Sequence, residues 1–261
     1  MTGVVLTPRG AFEARVDMAG ALPGVADIAK LKIGYGGRRV ELGEVFEVSG
    51  SGAGRLTIEG GGDRLDRVGA GLSSGEIVVK GDAGHALAAG MTGGEIVVKG
   101  SAGDFAASEL SGGKVVVAKS VGARLGAAGD GSRRGMSGGV VVVGGSAGRR
   151  ACERLRGGVV VIEGDAAEEA ATDLIAGTVA IAGKLGTNAG RGMKRGTLFL
   201  RSAEGLASGF KDAGEHDFVM LRVLVRRSHE LAAFLGRDAH KARRFAGDLN
   251  GGGKGEALIV G

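Results

Sequence analysis

The chain has 261 residues, of which 43% are hydrophobic and only 3% aromatic, with 55 glycines, two prolines, one tyrosine and no tryptophan. So few rings argue against an aromatic-lined catalytic pocket and against the stacking platforms on which single-stranded nucleic acids bind. A net charge of +5 fits either a solvated basic face or a surface for an acidic partner, and the lone Cys152 excludes an internal disulfide or a thiolate metal cage.

Residues 1–39 carry no repeat and read as an N-terminal capping segment, broken at Pro23-Gly24, with Val25 to Ile33 as a short helix or capping strand. From Arg39 an alternation sets in through Val40, Leu42, Val45-Phe46, Val48, Leu56 and Ile58, the irregular first coils expected of a terminal repeat. A block of the form G-x-[IV]-V-V-x-G then recurs. Its opening glycines Gly75, Gly94 and Gly113 stand 19 residues apart, as do Gly139, Gly158, Gly177 and Gly196. The step from Gly113 to Gly139 is 26, and its surplus, Gly126 to Gly135, is expected to bulge as a loop.

A short fixed period built of β-branched residues predicts a solenoid of strands, too short per repeat for two helices and a turn. The expected fold is all-β: a right-handed parallel β-helix over residues 40–201 in coils of about 19 residues. Ile77, Val79, Ile96, Val98, Val115, Val117, Val141, Val143, Val160 and Ile162 alternate along the strands and are expected inside. The position between each pair is also apolar: Val78, Val97, Val116, Val142 and Val161. These valines form an outward ladder that should not stay wet, to be covered by a partner subunit or by the tail. The tail, residues 202–261, is expected to supply one helix from His216 to Leu235, about 30 Å long, and a closing strand.

No catalytic constellation emerges. The glycine clusters lack the G-x-x-x-x-G-K-[ST] pattern, and His85, His216, His229 and His240 lack metal-ligand spacing. Glu76 and Glu95 fall in register with Lys80 and Lys99 as a surface ladder. No catalytic residue and no metal ligand is therefore expected. The basic residues do cluster: Arg133, Arg134, Arg149, Arg150, Arg154 and Arg156, then Arg191, Lys194 and Arg195. A guanidinium fork pairs with carboxylates bidentately, so these are candidate contacts for a polyanion. Salt bridges to Glu153, Asp165, Glu168 and Glu169 are the alternative. Apolar runs no longer than a strand give no leader or membrane span, so the chain is expected to be cytoplasmic, with no nucleic-acid partner.

The coils reading MxGGxIVVKG, entered through Leu42-Gly43-Glu44-Val45-Phe46-Glu47-Val48-Ser49-Gly50 and left through Arg244-Phe245-Ala246-Gly247-Asp248 and Gly252-Gly253-Lys254-Gly255-Glu256, resemble the C subunit of formylmethanofuran dehydrogenase. The coil pattern is shared with the C-terminal domain of glutamate synthase large subunits, a second reading. The resemblance implies a hetero-oligomer whose chemistry belongs to an amidohydrolase-like subunit and a formyltransferase subunit. The complex, not this chain, would handle the methanofuran-type cofactor. Richness in alanine, arginine and glycine points to the bacterial formyltransferase/hydrolase complex, which moves formyl groups from tetrahydromethanopterin to a methanofuran analogue and releases formate. The tungsten or molybdenum dehydrogenase of methanogens is the alternative. On this resemblance the chain is a non-catalytic scaffold of one-carbon metabolism that contacts the cofactor's polyglutamate tail through the cations named above.

Overall fold

The structure, a computed structural model, describes residues 3–261. Its N-terminal part contains β1 (Val4–Pro8), β2 (Val16–Asp17), β3 (Lys32–Tyr35), β4 (Arg38–Glu41), the helical turn α1 (Leu42–Val45), β5 (Phe46–Gly50), β6 (Arg55–Glu59) and β7 (Leu65–Asp66). Seven strands follow at the repeat spacing: β8 (Glu76–Lys80), β9 (Glu95–Val98), β10 (Lys114–Val117), β11 (Val140–Val143), β12 (Val159–Ile162), β13 (Thr178–Ile181) and β14 (Thr197–Leu200). The tail holds β15 (Lys211–Asp217), α2 (Val219–Arg227), α3 (His229–Leu235), β16 (Lys241–Gly247) and β17 (Gly255–Ile259).

The architecture is all-β in its bulk. A 13-stranded sheet runs β15-β16-β17-β14-β13-β12-β11-β10-β9-β8-β6-β1-β5. From β6 through β14 to β17 every pairing is parallel and in register, so Ile77 lies beside Ile96, Ile96 beside Val115, and Val115 beside Val141. The in-register pairing carries straight across the longer step, because its extra residues leave the stack through a closed neck: Met136 N donates to Gly126 O at 2.8 Å. The alternating residues predicted to lie inside, from Ile77 to Ile162, are fully buried.

Each repeat touches the next along two more lines. Ala83, Ala102, Val121, Ala147, Ala166 and Leu185 form a file of parallel bridges. It is laced by side chains that accept the backbone N–H one repeat ahead: Asp82 from Ser101 at 2.7 Å, Ser146 from Asp165 at 3.1 Å, and Asp165 from Lys184 at 2.7 Å. The recurring Gly-Asp/Ser-Ala-Gly signal is this lacing. Along the other line, Ala86, Phe105, Arg124, Arg150, Glu169 and Asn188 all sit in the left-handed region, with φ between 56° and 63°. Side chains there cost about 1 kcal/mol each. The offset is a hydrogen bond to the following repeat, such as Phe105 N to Ala123 O and Arg124 N to Arg149 O, both 2.8 Å. Glycine is required where a repeat opens. At Gly113, φ is +83° and a Cβ would come within 2.5 Å of Met91 Cε and 2.6 Å of Gly94 O.

The N-terminal segment joins the main sheet, β1 pairing in parallel with β6 and antiparallel with β5, and the Val25 to Ile33 stretch holds a 3-10 turn at Ile28–Lys30 and the start of β3. Two expectations are corrected. The Leu42 to Val45 stretch is helical rather than extended, because Glu41 and Glu44 close a reciprocal capping box at its start. The single helix from His216 to Leu235 does not form. His216 and Asp217 belong to β15, and Ser228 is extended (φ −128°, ψ 115°) between α2 and α3, its hydroxyl capping α3 by accepting from Leu231 N at 3.2 Å.

Candidate functional site

The tail covers only part of the outward valine ladder. Val161 continues into Ala180 and Phe199, and these three pack with Leu221, Leu231, Phe234 and Leu258 in a second apolar cluster, separate from the main core. α2 and α3 pack against β12 to β14, and beyond β12 the residues of α3 overhang β10 and β11 without closing on them. Val78 is buried, but Val97, Val116 and Val142 stay half-exposed. A cavity of about 380 Å³ opens at the boundary, floored by Val116, Val142 and Val161 and roofed by Ala233 and Phe234. Lys114 crosses its mouth to Glu230 at 2.8 Å. That hydrogen bond raises the Lys114 pKa and holds the Glu230 carboxyl below its ordinary range. Arg201 stacks on Phe234, 4.5 Å from the ring centre, and donates to Gly261 O at 2.9 Å, so it pins α3 to the end of the chain beyond β17.

The predicted basic cluster is divided by the fold into three groups. On the left-handed line, consecutive repeats place arginines beside glutamates. Arg149 reaches Glu168 and Glu169 (3.8 and 3.4 Å), Arg150 reaches Glu153 and Glu169 (3.3 and 3.5 Å), and Arg191 reaches Glu169 at 3.2 Å. Arg124, not singled out in the sequence, also pairs with Glu153 at 3.4 Å and lies 4.4 Å over the Phe105 ring. Arg154 lies four residues beyond Arg150 on a parallel file, also in left-handed backbone, its N–H donating to Thr172 O at 3.0 Å. Of the acids expected to answer these arginines, Asp165 is the exception: its carboxylate is used in the lacing between repeats.

The second group, Arg133 and Arg134, is exposed on the Gly126–Gly135 loop, which returns to the stack where Gly135 N donates to Arg154 O at 3.0 Å. The third sits at the corner just ahead of the strands. Arg156, Lys194 and Arg195 line an open cleft of about 560 Å³ with Ile175, Ala176 and the Gly251–Lys254 turn. No acidic residue lines it. Lys254 is the residue that the periodicity could not supply, because 52 residues of non-repeating tail (202–253) intervene before it re-enters the stack. β17 brings it there by pairing Glu256 with Thr197, which sets Lys254 opposite Arg195.

Elsewhere chemistry is sparse. His85 is exposed and packs on Phe105 at 5.1 Å between ring centres. Cys152 is buried, which pushes its thiol up to about 12. Among the described residues, no group of three or more His, Cys, Asp or Glu side chains is arranged to hold a metal ion, and no helix is long and apolar enough to cross a membrane.

Three similarities bear on this arrangement. The GXGXG motif family matches residues 79–235, more than half of the chain. The C subunit of the formyltransferase/hydrolase complex Fhc of Methylorubrum extorquens is 50% identical over 82 residues; that alignment covers 29% of this chain and 31% of the relative, so less than a third of the relative's length. Over nearly the full length, the fold matches a chain in the crystal structure of the formyltransferase/hydrolase complex FhcABCD from the same organism, in complex with methylofuran. The TM-score is 0.90 at 36% identity, covering 98% of this chain and 99% of that one. The repeat blocks, the closing strand and these matches together place the chain in the GXGXG motif family, among the relatives of the formylmethanofuran dehydrogenase C subunit.

Proposed function

We propose that this chain is the scaffold subunit of a methanofuran-dependent formyltransferase/hydrolase complex in one-carbon metabolism, holding catalytic partners in place without itself carrying the reaction. The observation that carries this reading is the whole-chain match to a member of such a complex, which takes in the tail and β17 as well as the repeats. The finer architecture proposed is a right-handed parallel β-helix over residues 40–201, between an N-terminal segment and a C-terminal one. Its support is the unbroken parallel register of β6 to β14 and the two further lines along which the repeats bond.

The partners proposed are an amidohydrolase-like subunit and a formyltransferase subunit, in the cytoplasm. The half-exposed Val97, Val116 and Val142 offer one of them an apolar face. Contact with a polyglutamate-tailed cofactor falls to the cations left without a carboxylate: Arg133, Arg134, Arg154, Arg156, Lys194 and Arg195. Arg149, Arg150 and Arg191 instead stiffen the stack through Glu153, Glu168 and Glu169.

Co-purification tests the reading. A tagged full chain expressed in its native host is expected to bring down the other subunits, with formyl transfer and hydrolysis in the assembled material and neither in the chain alone. Recovery of the chain by itself, or turnover by the isolated chain, would overturn it.

A further inference from the structure

We infer that the outward side of α2 is a docking surface for an acidic amphipathic helix of a partner protein. The inference goes beyond the scaffold reading, which gives α2 no part, and rests on that reading only for the existence of partners.

Four large hydrophobic side chains are exposed among the described residues, and three of them lie on this one helix: Val219 at 70%, Met220 at 37% and Val223 at 41%. Single exposed hydrophobics are ordinary on a soluble surface, whereas a gathered set marks a contact. The helix is already anchored by its other side, where Leu221, Leu224 and Val225 pack into the cluster that holds Phe199. At about 100° per residue, those three residues occupy the inner arc. Arg222, Arg226, Val219, Val223, Arg227 and Met220 follow one another around the outer one. The outer hydrophobics therefore serve nothing in the chain's own packing.

Charge selects the occupant. Val219 and Val223 run down the middle of the outer arc, with Arg222 and Arg226 on one flank and Arg227 and Met220 on the other. The helix carries no acid. Arg226 and Arg227 are exposed and meet no carboxylate among the described residues, and Arg222 has only the exposed Asp217, at 3.2 Å. Arg222 and Arg226 are one turn apart, a spacing at which like charges destabilise a helix. Carboxylates from outside relieve that repulsion. A second copy of this chain would not, because α2 against α2 sets the arginines of one against those of the other. A lipid surface is a poor match, since a helix about 14 Å long offers only two valines and a methionine for insertion. A helix with apolar residues three and four apart, flanked by Asp or Glu, meets both features. Its apolar ridge packs on the i,i+4 ridge of Val219 and Val223, and its acids reach the arginines.

Cross-linking tests this. Val223 is replaced with the photo-cross-linker benzoylphenylalanine in the tagged full chain, which is expressed in its native host and irradiated. The expected product joins α2 to another protein, within a segment that carries Asp or Glu one helical turn to either side. Val219→Asp with Val223→Asp, and separately Arg226→Glu with Arg227→Glu, should each lower recovery of that protein by about tenfold. Changing the partner's acids to lysine should restore the second loss. Leu249→Asp, at the fourth exposed hydrophobic, should leave recovery within about twofold. Melting temperatures confirm folding, and Val223→Gln replaces the valine pair if it does not fold. A cross-link to a second copy, to a segment without acids or to no protein would overturn the inference, as would full recovery of the partner by both double variants. Binding to phosphatidylglycerol vesicles that the arginine reversal abolishes, with no protein cross-link, would assign α2 to a membrane surface instead. If the parent chain brings down no partner, the scaffold reading falls as well; if it holds its partners and the variants hold them equally, only this inference falls.

Discussion

Replacing Phe199 with alanine should loosen the tail without opening the repeats. The ring is fully buried, the more deeply buried of the two phenylalanines in the cluster beneath α2 and α3, which also holds Val161, Ala180, Leu221 and Leu258. Phe→Ala truncations in cores cost about 3–5 kcal/mol. The lower end is expected here, because the site lies near the 380 Å³ cavity under Phe234, into which α3 can settle. The effect should be local, since that cluster does not merge with the interior formed by Ile96, Val98 and Val115. Val98→Ala, in that interior, is the comparison and should cost about 2 kcal/mol or more. Native-state hydrogen exchange reads both. Phe199→Ala should accelerate exchange over residues 219–235 while β8 to β11 keep their protection, whereas Val98→Ala should lower protection throughout the stack. Acceleration of β9 and β10 as large as that of α3, or a loss of stability below about 1 kcal/mol, would refute the separation of the two clusters.

The Lys114–Glu230 contact sets a pH window for the same region. The Glu230 carboxyl is lowered from its ordinary 4.5, chiefly by the Lys114 hydrogen bond. Its contribution is therefore present above that value and lost as pH falls through the lowered one. Lys114 is raised from 10.5 by the same bond, so its share holds below that value and fades as pH rises through the raised one. The stability difference between the parent and Glu230→Gln should stay flat across neutrality and shrink in acid; a difference that grows on acidification would contradict the assignment. Cys152, buried with its thiol pushed up to about 12, should resist iodoacetamide at pH 8 in the folded chain and react fully in denaturant; rapid labelling of the native protein would show the site to be open.

How much of this could be read beforehand follows from how each contact repeats. The strand ladder is encoded once per repeat by β-branched residues two apart, so Ile77 beside Ile96 beside Val115 was legible from spacing alone. The left-handed line was not, because its positions hold Ala86, Phe105, Arg124, Arg150 and Glu169, residues with no shared preference for positive φ. What places them there is the neighbouring repeat's carbonyl, a tertiary partner that local propensity does not register. The same blindness merged the arginines into one patch. Arg150 and Arg156 are six residues apart in sequence, yet one faces Glu153 and Glu169 and the other an acid-free cleft, because a corner of the repeat separates them.

The break at Ser228 has a different physical origin. Leu221, Leu224, Val225, Leu231, Phe234 and Leu235 suggested one long buried helix by period, but helical period is satisfied equally well by two short helices that meet at an extended serine. The serine hydroxyl gives the second helix its cap, and the bend lets Leu221 and Leu231 reach the same buried cluster. The cost is reach. A straight helix of about 30 Å would have covered the valine ladder from end to end; the bent pair packs on β12 to β14, spans Val116 and Val142 only across an open cavity, and leaves these two and Val97 half-exposed.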